Sequence, residues 1–291
     1  MSSQFLQFLI SGITVGAIYA LVGLGFSIVY NSSQVINFAQ GEFVMLGGMA
    51  TVFLIAAGAP MPLAVVLAVL LAVVIGFALG KFAIEPARGA PVVSIIIITI
   101  GASIFLRGAA MLVWDRNFHN MPAFSGSDPI DIGGAALLPQ SIWVVGGMVI
   151  IVAALQLFFS HARIGKAMLA TAFNPLAAQL VGISTRWMLL LSFALAAGIG
   201  AIAGILIAPI TLTYAGVGIM LGLKGFSAAI VGGLGNPMGA VAGGLVVGIA
   251  EAMTAGYISS AYKDAVAFLI ILAVLVIRPS GLFGRRQSDR V

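Results

Sequence analysis

The sequence predicts an all-α protein, a polytopic membrane helix bundle of about eight to ten transmembrane or re-entrant helices. Of its 291 residues, 62% are hydrophobic and only 7% are charged, whereas a typical soluble domain has about 25% charged residues. The mean hydropathy is +1.20. Because so few polar side chains cannot cover a water-facing surface, a soluble globular protein is excluded. Little length is left for domains outside the membrane, so residues 1–291 are expected to form a single transmembrane domain.

Nine apolar stretches are expected to cross or enter the membrane, since a spanning helix needs about 20 apolar residues. They are residues 5–30, 43–58, 61–84, 91–113, 140–160, 187–210, 216–234, 239–258 and 264–278. The second and the seventh are short for a straight crossing. Both are compatible with broken or re-entrant helices that neighbouring protein supports.

Basic side chains concentrate in two connections and the C-terminal tail, which the positive-inside rule places in the cytoplasm. They are Lys81, Arg88, Arg163, Lys166, Arg186, Arg278, Arg285, Arg286 and Arg290. The loop 115–139 holds three aspartates and one arginine, so it is expected outside. Nine crossings then place the N-terminus outside and the C-terminus in the cytoplasm. Because the basic residues are dispersed among short connections, a topological role is favoured and no nucleic acid is expected as a partner, only membrane lipid.

Small residues recur every four positions in two of the stretches, which lets helix backbones approach closely in a membrane. The first stretch carries Gly12, Gly16 and Ala20; the eighth, with the residues just before it, carries Gly235, Gly239, Gly243, Gly244 and Gly248. The pattern predicts small-residue packing faces on these two helices.

The motifs of catalysis and nucleotide binding are missing from the sequence. The Gly-Lys pairs at 80–81 and 165–166 are followed by Phe and Ala, so neither forms a phosphate-binding loop. There is no cysteine, and the two histidines stand near the ends of apolar runs. We therefore expect no catalytic residue, no metal site and no cofactor in this chain, which is not expected to be an enzyme.

Among the ionisable residues in or beside apolar stretches, we single out Glu42, Lys224 and Glu251. A charge facing lipid costs at least about 2.5 to 3.5 kcal/mol, so such groups normally face a bundle interior, a cavity or a partner. They are candidates for a solute path, and an ion pair of Lys224 with Glu251 or with Glu42 is the structural alternative. Arg107 is close enough to the end of its stretch to extend its side chain towards water, and we assign it no role.

A dense polar insertion lies at residues 37–42, where the sequence reads Asn-Phe-Ala-Gln-Gly-Glu. Two interpretations remain open. Asn37 could be the N-cap of the following helix, or the polar groups, with Gln40 among them, could line a solute path on a broken helix.

The segment 163–186 is long for a connection but too polar to span the membrane. Asn174 followed by Pro175 predicts a helix start, and Gly182 predicts its end, which gives a two-turn helix over 175–181. Leu176, Leu180 and Val181 give this helix an apolar face. An isolated helix of this length is unstable in water, so we expect it to dock either on its own bundle or on another protein.

Several segments, in the same order and over essentially the whole chain, resemble the permease subunits of bacterial ABC importers for branched-chain amino acids. They are Ile-Asn-Phe-Ala-Gln-Gly-Glu at 36–42, Thr-Ile-Gly-Ala-Ser-Ile-Phe-Leu at 99–106, the loop 174–183, and residues 225–237 continuing to 251–252. The resemblance implies a permease in the bacterial cytoplasmic (inner) membrane with three kinds of partner. These are a second permease, identical or related, two cytoplasmic ATPases that bind ATP and Mg, and a periplasmic or extracellular solute-binding protein.

The resemblance also implies roles for particular residues. The helix that begins after Asn174 resembles the coupling helix that docks on the ATPase. The residues expected to couple are Gly165, Lys166, Asn174, Pro175, Ala178 and Gly182, and those expected along the path are Asn37, Gln40, Glu42, Lys224 and Glu251. Two departures leave the solute open, because family members often have His at position 40 and a neutral amide at position 107. A permease for urea or short amides and a self-contained ion-coupled transporter are the alternatives.

Overall fold

The computed structural model describes residues 2–284, and the expected cytoplasmic residues Arg285, Arg286 and Arg290 lie outside them. Eleven α-helices are present in that range. They are α1 Ser2–Ser33, α2 Gln40–Ala56, α3 Met61–Leu79, α4 Val92–Val113, α5 Pro139–His161, α6 Arg163–Phe173, α7 Pro175–Leu180, α8 Thr185–Ile207, α9 Val217–Gly232, α10 Pro237–Tyr257 and α11 Lys263–Ile277. A π-helical turn, Gly80–Ile84, extends α3, and a 3-10 turn, Ser260–Tyr262, precedes α11.

The loop between α4 and α5 contains the one departure from the all-α expectation among residues 2–284. Strands β1 (Ile130–Ile132) and β2 (Ala135–Leu137) form an antiparallel hairpin. Gly133 and Gly134 connect them with φ values of +61° and +83°. These are left-handed conformations that glycine adopts without strain and that hairpin turns require.

The nine apolar stretches are confirmed as helices in the described chain. Seven helices are long and apolar enough to cross a membrane. The two stretches identified as short are α2 and α9, with 17 and 16 residues. The outward faces of α3, α4, α5 and α11 carry exposed apolar side chains along their length, whereas α1 and α8 are buried inside the bundle. An apolar exterior around a packed interior is the arrangement that lipid requires.

The two ends of the bundle differ in charge. At the hairpin end, Gln7 of α1 exchanges two hydrogen bonds with the backbone of Ala136. At the opposite end, which we call the α7 end, Arg186 pairs with Glu85 at 2.5 Å, and the Arg88 guanidinium donates to the Thr185 carbonyl at 2.8 Å. Because α5 runs from the hairpin to α6, about 35 Å at 1.5 Å per residue, the acidic loop 115–139 and the basic connections lie at opposite ends, as the sequence predicts.

Glycines allow the central helices to approach at backbone distance. Gly12 and Gly16 of α1 lie against the backbone of Gly244, Gly248 and Ile249 in α10, where an added Cβ would collide. The predicted small-residue faces are therefore confirmed.

The other glycines of the eighth stretch face a second neighbour. Gly239 and Gly243 lie against Gly232 and Ala228 of α9. Helix α10 thus packs closely on α1 with one face and on α9 with another, so that small residues bring these three helices together at backbone distance.

The second and seventh stretches begin inside the bundle rather than at its surface. Residues 34–39 between α1 and α2 are not helical. Gln40, the first residue of α2, bonds to Ala196 of α8, about 16 Å along that helix at 1.5 Å per residue. Gly41 lies against Gly218 and Gly222, so the first turns of α2 and α9 cross in the interior. Segment 34–56 is thus a broken crossing, one of the forms expected for these stretches.

Candidate functional site

The break before α2 is shaped by Asn37, which is buried. Its Oδ1 accepts a hydrogen bond from the Ala39 backbone N–H at 3.1 Å, and its carbonyl accepts one from the Gln40 N–H at 3.1 Å. The N-cap of α2 is Ala39. The expectation that Asn37 caps the helix is therefore wrong, because its side chain closes a turn inside the break and the helix begins three residues later.

Gln40 anchors this turn to the core. Its Nε2 donates to the Ala196 carbonyl at 2.9 Å, and the side chain is fully buried between Gly25 and Gly200. A Cβ at Gly25 would meet the amide carbon of Gln40 at 2.7 Å. Glycine at this position therefore gives the amide the room that it occupies.

Glu42 lies in the first turn of α2 and faces α4. Its Oε1 accepts a hydrogen bond from the Ser103 hydroxyl at 2.7 Å and lies 3.5 Å from Nη2 of Arg107. The same Nη2 donates to the Ser103 Oγ at 3.3 Å. The expectation that Arg107 extends to water is wrong, because its side chain, 24% exposed, turns to the buried carboxylate.

We call the contact between the start of α2 and one face of α4 the polar seam. On α4 it consists of Thr99, Ser103 and Arg107, spaced four residues apart and therefore on one face of the helix. Thr99 accepts a hydrogen bond from the Phe38 N–H at 3.2 Å. The four-residue spacing of polar groups on an apolar helix was the signal for this face, and the sequence reasoning missed it.

Lys224 and Glu251, the other two predicted path residues, lie in a separate cluster. The ammonium of Lys224 lies 2.6 Å from Oε1 of Glu251 and 2.6 Å from Oδ1 of Asp264 in the first turn of α11. Tyr19 donates its hydroxyl proton to Oε2 of Glu251 at 2.8 Å. We call these four residues the lysine cluster. The predicted Lys224–Glu251 pair is confirmed, the alternative pair with Glu42 is not formed, and Asp264 was missed.

The short helix at the α7 end is close to its prediction. Asn174 caps α7 by accepting a hydrogen bond from the Ala177 N–H at 3.0 Å, and Pro175 occupies the first turn. Gly182 has a φ of +85°, the left-handed conformation expected after a helix. The helix ends at Leu180, one residue earlier than expected. Ala178 is buried.

The other two expected coupling residues lie on α6. Gly165 is buried against the Phe158 carbonyl, where a Cβ would collide, so a larger residue would not fit the tight turn from α5 into α6. Lys166 is exposed. Helices α6 and α7 thus lie together at the α7 end, where Gly165 and Ala178 are buried and Lys166 is exposed to solvent.

A cavity of about 490 Å³ opens at the same end. The end of α1, helix α6 and the turn between α9 and α10 enclose it, and its polar side chains include Tyr30, Asn31, Gln34 and Asn236. No Asp, Glu, Lys or Arg lines it among the described residues. This uncharged lining differs from the surrounding basic surface of the α7 end.

The titratable groups outside the membrane-spanning segments include Asp115 in the loop 115–139, which contacts a histidine. His119 Nε2 lies 2.8 Å from Oδ1 of Asp115, and this hydrogen bond is the main reason why the pKa of Asp115 is lowered. Within residues 2–284, no group of three His, Cys, Asp or Glu side chains is arranged to hold a metal ion.

The fold and these interior polar breaks define a multi-pass membrane protein of the permease class. The chain belongs to the family described as branched-chain amino acid transport system / permease component, whose sequence model matches residues 8–275. The chain is 33% identical over 312 residues to the high-affinity branched-chain amino acid transport system permease protein LivH of Escherichia coli, with 100% of both chains covered. It is 33% identical over 302 residues to the corresponding protein BraD of Pseudomonas aeruginosa, covering 99% of this chain and 98% of that one.

A solved structure shares the fold. It is PsaBC from Streptococcus pneumoniae in complex with Fab, with a TM-score of 0.51 and 16% identity over 96% of this chain and 97% of that chain. The family match and the two sequence relatives confirm the resemblance to permease subunits.

Proposed function

We propose that this chain is the membrane-spanning permease subunit of an ATP-driven importer that carries branched-chain amino acids into the cytoplasm. The chain works in the bacterial cytoplasmic membrane with a second permease, two ATPases and a solute-binding protein. The relatives named above are permease proteins of branched-chain amino acid transport systems, which supports this solute class. ATP and Mg bind to the ATPase subunits, since this sequence has no phosphate-binding loop.

One observation carries the proposal: α7 presents an apolar face to solvent. Leu176, Leu180 and Val181 are 74%, 88% and 77% exposed. Burying one such side chain contributes about 1.5 to 3 kcal/mol, so the face favours a protein partner. An isolated two-turn helix is unstable in water, so we infer that docking on a protein partner helps to stabilise α7.

The helix is connected to the bundle in a way that transmits motion. Ala178 is buried beneath α7, its carbonyl accepts a hydrogen bond from the Ile183 N–H at 2.9 Å, and Gln179 donates to the Thr185 hydroxyl at 2.9 Å. Thr185 is the first residue of α8, the buried helix that also holds Gln40. A displacement of α7 by the ATPases therefore reaches the start of α2 through one rigid helix.

The position of the basic residues supports the orientation that we propose for the chain in the membrane. The α7 end carries Lys81, Arg88, Arg163, Lys166 and Arg186, and the positive-inside rule places such an end in the cytoplasm. The backbone N–H groups of Leu282 and Phe283 bond to Val231 and Gly232, close to the same end. The C-terminus is accordingly cytoplasmic, and the hairpin end faces the solute-binding protein.

The test uses proteoliposomes that contain the chain, the second permease and the ATPases, with the solute-binding protein and ATP supplied. We expect Leu180→Asp to reduce leucine uptake at least about tenfold, a free-energy change of about 1.4 kcal/mol in docking, and to release the ATPases on purification. Ile132→Asp, an exposed apolar residue of the hairpin, is the matched control and should retain the ATPases.

Three outcomes contradict the proposal. Normal uptake by Leu180→Asp removes the docking role. Urea uptake without leucine uptake supports the amide permease instead. Leucine accumulation by the chain without ATPases supports an ion-coupled transporter.

A further inference from the structure

Helix α4 contacts the start of α2 through the polar seam, and apolar residues of the same helix, among them Ile95 and Ala110, pack on the bundle. Its opposite face is exposed: Ile97, Ile104 and Phe105 point outward, and an added Cβ at Gly101 or Gly108 would meet no atom within 4 Å among the described residues. Thr99, Ser103 and Arg107 face the start of α2. Because this face of α4 is exposed, only the contacts of the inner face hold the helix against α2.

The seam contains polar atoms that the bundle does not satisfy. Within residues 2–284, buried Oε2 of Glu42 and Nε of Arg107 have no hydrogen-bond partner, nor do Nδ2 of Asn37 and Oε1 of Gln40. The 3.5 Å between Glu42 and Arg107 is longer than the roughly 2.7 to 2.9 Å of a well-formed charge-assisted bond. Unsatisfied buried groups of this kind need an explanation, and a ligand that completes them provides one.

The two charged groups are complementary to a particular class of ligand. A carboxylate binds an ammonium group, and a guanidinium binds a carboxylate through two parallel hydrogen bonds. A molecule that carries both charges on neighbouring atoms is an α-amino acid zwitterion. The same region supplies an apolar surface for a side chain, since Phe43 follows Glu42, Leu106 precedes Arg107, and both belong to one hydrophobic cluster.

We propose that Glu42 and Arg107 form a binding site for the zwitterion of an α-amino acid within the translocation path. This inference rests on the proposed function and names the chemistry of recognition at that site. The ammonium group of the ligand replaces the guanidinium at Glu42, and its carboxylate binds the released Arg107. Each charge exchanges one ionic partner for another, so no net charge is buried. A neutral ligand such as urea would separate the pair without replacing either partner.

The lysine cluster is a poorer candidate for this site. Among the described residues, no buried heteroatom of Tyr19, Lys224 or Glu251 lacks a partner. The cluster also has two carboxylates for one ammonium, which does not match the balanced charges of a zwitterion.

The experiment measures [³H]leucine binding to the purified permease–ATPase complex without the solute-binding protein. Leucinamide, which has only the ammonium charge, and 4-methylpentanoate, which has only the carboxylate, serve as competitors. For the unmodified complex, we expect each to compete at least about tenfold more weakly than leucine. Equal competition by either analogue, or no saturable leucine binding in a complex that transports normally, would overturn the proposal. This comparison needs no variant, so it stays decisive if a variant fails to assemble.

Variants then assign each charge to a residue. We expect Arg107→Gln to weaken leucine binding at least about tenfold and to leave the affinity for leucinamide unchanged. We expect Glu42→Gln to weaken leucine binding by a similar factor and to leave the affinity for 4-methylpentanoate unchanged. Arg107→Lys keeps the charge and should retain most leucine binding. Glu85→Gln and Arg116→Gln, outside the seam, are the matched controls. Equal loss of all three ligands in both folded variants indicates a structural role and contradicts the proposal.

Failure of this inference can be told apart from failure of the proposed function. If the complete assembly does not take up leucine, the proposed function is wrong. If it takes up leucine but the complex shows no preference for the zwitterion, only the binding site is wrong.

Discussion

The bundle contains two buried ionic clusters that differ in how completely they are satisfied. In the lysine cluster, Lys224 touches Glu251 and Asp264 at 2.6 Å, and Tyr19 bonds to Glu251. It joins α1, α9, α10 and α11, of which the first three pack through glycine contacts. The polar seam joins only α2 and α4, at a distance of 3.5 Å between the charged atoms. A buried pair is costly to break when it is tight and enclosed, and easier to exchange when it is long and incomplete.

The difference divides one set of predicted residues into two groups. The sequence assigned Glu42, Lys224 and Glu251 to a single solute path. The structure divides them between a region that holds four helices and a region where one helix is loosely attached. Loosely packed elements are the ones that move in transport cycles.

The largest expected effect comes from the lysine cluster. Lys224→Met removes the only cation, so Glu251 is left buried without a counter-charge, and we expect a loss of about 3 to 5 kcal/mol. The complex should be recovered in low yield with a lowered melting temperature, measured by fluorescence-detected size exclusion after heating. Lys263→Met, at an exposed neighbouring position, is the control. An unchanged melting temperature for Lys224→Met would remove the distinction between the two clusters.

A second prediction compares glycines in the same two regions. In Gly244→Ala the new methyl group would meet the backbone of Ala20 at 2.6 Å, so we expect a loss of about 1 to 3 kcal/mol. In Gly101→Ala, on the open face of α4, nothing lies within 4 Å among the described residues. There the better helix propensity of alanine should stabilise by about 0.5 to 1 kcal/mol. Opposite signs in thermal unfolding support the comparison, and equal losses contradict it.

Features that depend on local sequence were predictable. The cap at Asn174 and the stop at Gly182 follow from residues within eight positions of each other, and the structure reproduces them. The apolar stretches follow from composition alone. In each case the physical cause acts within one helix or at its ends.

Features that depend on helix rotation and register were not predictable from one sequence. The pairing of Glu42 with Arg107 joins residues 65 positions apart (107 minus 42) and requires α4 to turn its polar face towards α2. Asp264 is the first residue of the predicted stretch 264–278, and nothing in the sequence indicates that it reaches Lys224 of α9. Spacing shows which residues share a face, but only packing decides which face meets which.

A third prediction concerns the stability of the seam. In Glu42→Gln the Ser103 hydroxyl keeps an acceptor, and Arg107, already 24% exposed, can extend towards water. We therefore expect a loss of about 1 kcal/mol, well below that of Lys224→Met. The same melting assay measures it, with Asp128→Asn, at an exposed position, as the control. A loss as large as that of the lysine variant would show that the seam is a structural lock and would leave no freedom for ligand exchange.

The smallest expected effect concerns a hydrogen bond in the loop 115–139, outside both clusters. The hydrogen bond from His119 is the main cause that lowers the pKa of Asp115 in the folded chain. A carboxyl group with a lowered pKa stabilises the fold above its unfolded pKa of about 3.9 and loses that contribution as pH falls through the folded value. Asp115→Asn should thus lower the melting temperature slightly at pH 7, and the difference from the unmodified chain should disappear on acidification below about pH 4. Because Asp115 stands beside Arg116, Arg116→Gln serves as the control for general charge effects. A difference that persists unchanged at low pH would show that the contribution of Asp115 does not depend on the charge of its carboxylate, which would contradict this prediction.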